Sequence, residues 1–155
     1  MRVEAMKRSG PIKRKRATPR RNTMPRCETR GCTNIARIQN LCKKHAMAKA
    51  DRLAREIVMQ RDNGCMAVSD GHVCNGPLQW CHVWSRSYHV IRHDPRNALS
   101  MCASAHARYT HNPAAWEQFC RDRGIPWDSL RLEALHGAAS WSLDETLERL
   151  EKGAA

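Results

Sequence analysis

The chain has 155 residues, with 27 Lys and Arg against 15 Asp and Glu and a formal net charge of +12. Only 5% of the residues are aromatic, which favours one small domain with appendages and argues against a large apolar core. The positive charge indicates a polyanionic partner, for which DNA or RNA is the commonest choice and a membrane surface the lesser alternative. No stretch reaches the apolar length of a membrane span, and the N-terminus lacks the apolar core of a secretory signal. We therefore expect a cytoplasmic protein without a membrane partner.

Cysteine and histidine are both frequent, with eight of each in the chain. A reducing compartment disfavours disulfides, so zinc coordination explains the cysteines better than disulfide bonding does. We therefore expect structural Zn²⁺ where cysteines and histidines cluster along the sequence.

The first 26 residues are strongly basic, with ten Lys and Arg and a single acidic residue. One Gly and three Pro interrupt any periodicity, so residues 1–26 are predicted to form a disordered basic arm. Its densest run, Lys13, Arg14, Lys15 and Arg16, is predicted to neutralise DNA phosphates without reading the base sequence. The alternative is a solubilising tail, or a segment that engages RNA or ribosomal protein nonspecifically.

Residues 27–45 offer four metal ligands, namely Cys27, Cys32, Cys42 and His45. The segment has almost nothing apolar to bury, and in small modules zinc held by thiolates and imidazole replaces such a core. We predict a structural zinc knuckle whose closed Cys₃His shell has no open position for chemistry; unligated thiols are the alternative. The knuckle would also display three basic residues, Arg37, Lys43 and Lys44.

Residues 46–64 follow a helical pattern in which apolar residues recur every three or four positions, and an Asn-Gly pair signals its end. The apolar positions are Ala46, Ala50, Leu53 and Ile57. We expect this helix to link the knuckle to the rest of the protein and to pack on the hairpin described below, without a catalytic role.

A second group of cysteines, Cys65, Cys74 and Cys102, could supply three thiolates to another structural zinc. Either His72 or Cys81 would complete the ligand set. If no metal binds, these thiols act as small buried hydrophobic groups.

The stretch 78–113 has the pattern of a strand, a loop, a second strand and a helix. In the first strand, Leu78, Trp80 and His82 alternate with residues of the other face. A basic loop then ends at an Asp-Pro pair, and the second strand would return Asn97 to the side of His82. The following helix carries His106, which we expect to face His82 across a gap large enough for a metal ion and a phosphate.

These residues resemble the HNH endonucleases, and most closely the phage-encoded members that include the NinG/Rap recombination nucleases. The resemblance lies in LQWCH, SRSYHVIRHDPRNALSMC and AHARYTHNPAAW, which together span about a quarter of the chain. It implies a ββα unit that grips one divalent metal ion, Mg²⁺ or Mn²⁺, and hydrolyses DNA.

The resemblance also assigns roles to individual residues. His82 would be the general base that deprotonates the attacking water, Asn97 would brace the loop or help to hold the metal, and His106 would be a metal ligand. The implied products carry a 5′-phosphate and a 3′-hydroxyl. Arginines of the loop are predicted to contact DNA, namely Arg86, Arg92 and Arg96.

Three positions depart from the family's pattern. Cys81 replaces an Asp or His that is often a metal ligand, and a thiolate there would favour Zn²⁺ over Mg²⁺. Ala105 stands where many relatives carry a zinc-binding cysteine. Thr110 stands where some relatives carry a further His, for which His111 could substitute as a metal ligand.

Beyond the motif, residues 125–155 are predicted to form helices, the last of them opened by a capping box at Ser142. Three residues that precede this region, Trp116, Phe119 and Cys120, are expected to belong to the core. Because the C-terminal region lacks the basic excess of the rest, it is expected to fold back on the nuclease unit or to mediate self-association.

These observations predict an α+β protein in which a small ββα-metal unit at residues 65–124 is flanked by helices, a zinc module and a basic arm. The function that the resemblance implies is a metal-dependent endonuclease acting on duplex or branched DNA in phage recombination, replication or packaging. Cutting both strands with one-metal sites would imply a homodimer. The alternative is a zinc-stabilised nucleic-acid-binding protein without catalysis.

Overall fold

The computed structural model describes residues 24–137 and 141–154, so the basic run at Lys13, Arg14, Lys15 and Arg16 lies outside the described residues. Within them the fold is α+β, as predicted from the sequence, with five α-helices and one two-stranded antiparallel sheet. In chain order the elements are α1 (Lys43–Asp62), β1 (Leu78–His82), β2 (Ala98–Cys102), α2 (Ala103–Thr110), α3 (Pro113–Asp122), α4 (Trp127–His136) and α5 (Leu143–Gly153). None of the described helices is both long enough and apolar enough to cross a membrane.

The knuckle folds without a regular strand or helix of its own before α1. Two isolated antiparallel bridges, Arg26 with Ile35 and Ile38 with Leu41, close its turns. Arg26 also donates a hydrogen bond to the carbonyl of Thr33 over 2.9 Å. Arg26, the last residue of the predicted arm, therefore contacts the knuckle.

Helix α1 begins at Lys43, three residues before the predicted start, so its first turn carries His45. It ends where predicted, since Asn63 adopts a left-handed conformation with φ of 45° and its N–H donates to the carbonyl of Met59. The buried stripe of α1 consists mainly of small residues: Ala46, Ala50, Leu53, Ala54 and Val58. Ile57, which was expected in the stripe, is only partly buried. Such a stripe lets neighbouring elements approach the helix axis closely.

The hairpin pairs Leu78 with Cys102 at one end and His82 with Ala98 at the other. One sheet face, which includes Cys81, Leu99 and Met101, packs in a core cluster with residues of α2, α3 and α4. Trp80 lies on the opposite face and packs against the cluster formed by α1, α5 and the knuckle. The sheet therefore separates two small apolar clusters, as expected for a chain too poor in aromatic residues for one large core.

The C-terminal helix α5 packs on α1, with Leu143, Leu147 and Leu150 in the cluster that α1 shares with the knuckle. Its N-terminus has the predicted cap, because the Ser142 hydroxyl accepts a hydrogen bond from the Glu145 N–H. The expectation was a fold-back on residues 65–124 or self-association; in the structure α5 packs mainly on α1.

Candidate functional site

The four ligand-type side chains of the knuckle converge on one point. Every pair of ligand atoms from Cys27, Cys32, Cys42 and His45 lies within 4.8 Å. The Nδ1 atom of His45 is 3.2 Å from the sulfur of Cys27 and 3.4 Å from that of Cys42. The sulfurs of Cys32 and Cys42 are 3.9 Å apart.

These separations match the edges of a zinc tetrahedron. With Zn–S of about 2.3 Å and Zn–N of about 2.0 Å, a tetrahedral site has S···S edges of about 3.8 Å and S···N edges of about 3.5 Å. Burial raises the pKa of Cys27, but hydrogen bonds to Thr29, His45 and the main chain outweigh it and lower that pKa to about 5. The cluster could therefore hold a structural metal ion such as zinc.

The second cysteine group also comes together, because the ligand atoms of Cys65, Cys74 and Cys102 all lie within 4.8 Å of one another. Cys102 is the last residue of β2, and its N–H donates to the sulfur of Cys65 over 3.2 Å. The loop with Cys74 turns at Gly76, where φ is 81° and an added Cβ would lie 2.8 Å from the Cβ of Ala103. Only glycine allows the loop to approach α2 so closely.

The structure distinguishes the two candidates for the fourth ligand of this group. The Nε2 atom of His72 lies 3.4 Å from the sulfur of Cys102, close to the S···N edge expected in a zinc tetrahedron, and 3.0 Å from the Ser104 hydroxyl. Cys81 instead is 1% exposed in the core, and burial raises its pKa to about 12. Cys81 is therefore a core thiol, whereas His72 contacts Cys102 but lies outside the group of three cysteines whose ligand atoms are all within 4.8 Å of one another.

A cleft of about 400 Å³ opens where the end of β1 meets α2. Its lining includes both predicted catalytic histidines, His82 and His106, together with Ser85 and Thr110. The two imidazoles reach it from different sheet faces. His82 lies beside Trp80, with ring centroids 4.1 Å apart, whereas His106 contacts Gln79, the neighbour of Trp80 on β1.

His82 is held by the loop that follows β1. Its Nε2–H donates to the carbonyl of Arg92 over 3.0 Å, which leaves the lone pair on Nδ1. Burial lowers the pKa of His82 to about 4, so the ring is neutral at pH 7. A neutral ring with one fixed nitrogen is the form that accepts a proton.

His106 is held in a corresponding way by Gln79. Its Nδ1–H donates to the side-chain oxygen of Gln79 over 2.5 Å, which leaves the lone pair on Nε2. Burial lowers the pKa of this ring as well. A carbonyl that fixes the tautomer of an imidazole is the usual support of a metal-binding histidine. Sequence reasoning missed Gln79 because glutamine often occurs on strands without such a role.

Asn97 braces the loop, which was one of the two roles expected for it. Its side-chain oxygen accepts from the N–H of Trp84 over 2.8 Å, and its amide nitrogen donates to the carbonyls of Trp84 and Ile91. The residue is fully buried. For the other role, metal ligation, the structure offers no support, because Asn97 is not among the residues that line the cleft and both ends of its amide have partners within the loop.

The expected Mg²⁺ or Mn²⁺ ion does not fit the cleft. Its lining contains no carboxylate, although hard divalent ions take oxygen ligands. Of the two other expected ligands, Cys81 borders the cleft but is a core thiol whose pKa burial raises to about 12. His111 is an exposed residue at the end of α2, outside the cleft lining. Among the described residues, the groups of three or more His, Cys, Asp or Glu ligands close enough to share an ion are the two cysteine clusters.

The predicted DNA-contacting arginines divide into two classes. Arg92 forms two hydrogen bonds to Asp51 of α1, and Arg96 pairs with Asp94 and Glu133, so both guanidinium groups have partners within the protein. The prediction is corrected for Arg92, whose side chain is only 20% exposed. Arg86 remains a predicted DNA contact, because its side chain is exposed and has no hydrogen bond or ion pair within the described part of the chain.

The knuckle presents a group of basic side chains without acidic partners. They are exposed and make no hydrogen bond or ion pair with other described residues: Arg30, Arg37, Lys43 and Lys44. Unpaired cations on one small module form the surface best suited to phosphates. Arg30 was missed in the sequence because charge counting cannot tell a paired arginine from an unpaired one.

Comparison with known proteins does not assign a family. No protein-family model matches the chain, and no curated protein or solved structure matches it either. The likeness to HNH endonucleases therefore remains a resemblance of the motif in residues 78–116.

Proposed function

We propose that this chain is an HNH-type endonuclease that hydrolyses DNA phosphodiester bonds in the cleft between the hairpin and α2. One observation carries the proposal: His82 and His106, distant along the chain, line the same cleft, and a carbonyl group holds one nitrogen of each ring. Paired neutral imidazoles of fixed tautomer suit the handling of protons and phosphates.

His82 is the general base in this proposal. Since its Nε2–H is bound to the carbonyl of Arg92, its Nδ1 accepts the proton of a water molecule directed at phosphorus. Burial keeps the ring neutral, so the lone pair is present throughout the physiological pH range.

Other groups, in the cleft and outside its lining, bind and orient the substrate. Arg86, the exposed and unpaired arginine of the loop, faces a backbone phosphate, and its charge also acts on His82. His106 presents the lone pair of Nε2, which suits a softer ion such as Zn²⁺ better than Mg²⁺ or Mn²⁺. The knuckle cations and the N-terminal arm hold the DNA backbone outside the cleft without reading sequence.

The test is cleavage of supercoiled, linear and branched DNA by purified protein with Mg²⁺, Mn²⁺, Zn²⁺ or EDTA. We expect nicking that is lost in His82→Ala and in His106→Ala while DNA binding is retained. The matched control is His136→Ala, which changes an exposed histidine on α4 and should cut as the unmodified protein does. Cleavage that survives in His82→Ala would contradict the proposal.

A second function is favoured by a different observation. Two cysteine clusters with metal-binding geometry and the unpaired cations of the knuckle suit a zinc-stabilised protein that holds nucleic acid without cutting it. Intact DNA under every metal condition, in a mixture where binding is measured, would establish this function and exclude the nuclease.

A further inference from the structure

Helix α1 contributes a carboxylate to the loop that holds His82. Asp51 lies midway along this helix, and its side chain is 29% exposed. Its Oδ1 accepts from the Nε of Arg92 over 3.0 Å, and its Oδ2 accepts from the Nη2 over 2.8 Å. The Nε2–H of His93 donates to the same Oδ1 over 2.9 Å.

This carboxylate binds the two consecutive residues on which the position of His82 depends. Arg92 accepts the Nε2–H of His82 through its main-chain carbonyl while its side chain is held by Asp51. His93 is 1% exposed and uses one ring nitrogen on Asp51, and its other nitrogen is buried without a partner among the described residues. The segment of chain that carries the carbonyl is therefore attached to α1 by three hydrogen bonds to one carboxylate.

Asn97 holds the same loop from within, through Trp84 and Ile91, but none of its bonds reaches Arg92. Asn97 therefore ties the start of the loop at Trp84 to Ile91, and Asp51 holds the next residue, Arg92, whose carbonyl contacts His82. An Arg–carboxylate pair with two parallel hydrogen bonds sets orientation as well as distance, which a single hydrogen bond would not do.

We propose that Asp51 is a positioning residue for the general base: by fixing Arg92 and His93 it places the carbonyl that holds His82 in the tautomer with its lone pair on Nδ1. This inference rests on the proposed function in one respect, namely that His82 acts as the general base. The tautomer itself is a property of the folded protein and is measurable without substrate.

The test compares Asp51→Asn with Asp62→Asn by nitrogen NMR of the His82 ring, which reports the protonated nitrogen. Asp62 is the matched control, because it is another hydrogen-bonded carboxylate of α1, and its Oδ2 accepts the N–H of Ser100, which pairs with Trp80 and not with His82 in the sheet. We expect the Nε2–H form in the unmodified protein and in Asp62→Asn, and a mixture of both tautomers in Asp51→Asn. Asp51→Glu should restore part of the Nε2–H form.

The kinetic readout separates positioning from simple loss of stability. In Asp51→Asn we expect kcat to fall by about 10- to 100-fold, the usual effect of removing a group that orients an active residue, with KM changed by less than about twofold. Asp62→Asn should lower thermal stability without this kcat effect. An Asp51→Asn protein with an unchanged His82 tautomer, or an Asp62→Asn protein with the same tautomer change, would overturn the inference.

A second variant keeps the test decisive if Asp51→Asn does not fold. Arg92→Lys retains the charge but cannot form the two parallel hydrogen bonds, so it should also yield mixed tautomers of His82. An unchanged tautomer in folded Arg92→Lys would equally overturn the inference. If the unmodified protein shows the Nε2–H form but does not cut DNA, the proposed function fails while the positioning by Asp51 stands.

Discussion

The knuckle and the cleft both bring side chains that can bind metals or protons to one place, but they collect them from different lengths of chain. The knuckle collects Cys27, Cys32, Cys42 and His45 from within nineteen residues, and its ligand atoms are separated as a zinc tetrahedron requires. The cleft joins β1, the loop and α2, and each of its histidines is held by a carbonyl of another segment.

The comparison teaches which kind of site can be read from spacing. In the knuckle the four ligand-type side chains come from one short segment, so the residue types and their spacing are sufficient to predict that they cluster. In the cleft the chemistry depends on which nitrogen of each ring is free, and protein neighbours decide that. Damage to the knuckle should therefore act through folding, and damage to the cleft through activity.

The largest effect is expected from breaking the knuckle. Cys42→Ala removes a buried ligand that contacts both Cys32 and His45, and structural zinc in such modules contributes about 10 kcal/mol or more of binding energy to folding. We expect loss of one zinc per chain, measured by elemental analysis, and loss of ordered NMR signals from residues 26–45. Cys120→Ala is the control, because that buried thiol lies outside both clusters and its removal should leave the zinc content unchanged.

A smaller effect, confined to activity, is expected from the cleft. Gln79→Leu removes the oxygen that holds the Nδ1–H of His106, so both tautomers of that ring should be populated. We expect DNA cleavage to fall by about 10- to 100-fold with unchanged zinc content and circular dichroism. If Gln79→Leu cuts DNA as fast as the unmodified protein, the carbonyl does not support His106.

The second cysteine cluster sharpens the comparison, because it combines a local loop with the end of a distant strand. His72→Ala should reduce the zinc retained after dialysis from two ions per chain towards one, since it removes the imidazole nearest to Cys102. Cys81→Ala should retain both ions, because that thiol belongs to the core. The reverse result would assign Cys81, and not His72, to the metal.

The smallest effect is expected on nucleic-acid binding by the surface of the knuckle. Replacing Lys43 and Lys44 together by alanine should weaken DNA binding for all sequences and reduce the slope of log K against log salt by about 1 for each lost phosphate contact. Arg121→Ala is the control, since Arg121 already pairs with Glu117 and Asp128. An equal change of slope in both proteins would exclude a specific role for the knuckle cations.

Much of the fold could be predicted from the sequence because its signals are local. The strand pattern of β1, the Asn-Gly stop of α1 and the cap at Ser142 involve residues within a few positions of one another, and all appear in the structure. The start of α1 was placed three residues late, because no side-chain cap marks it.

The partners of individual side chains in the site could not be predicted. Arg92 looked like a DNA contact, but Asp51, 41 residues earlier, uses its guanidinium group. Asn97 was a candidate metal ligand, but its side-chain amide forms hydrogen bonds with loop carbonyls and with the N–H of Trp84. Periodicity assigns a residue to a face, whereas its hydrogen-bond partner depends on which distant element packs there.

The sequence by itself determined the α+β class, the order of the elements and the four ligands of the knuckle, because all of these follow from short-range spacing and composition. Only the tertiary structure decided that His72 contacts Cys102 while Cys81 is buried in the core, that Gln79 and Arg92 hold the two histidines, and that α1 binds Arg92 through Asp51. The physical reason is that burial and hydrogen-bond pairing between segments tens of residues apart fix which atoms remain free for chemistry, and no local pattern encodes them.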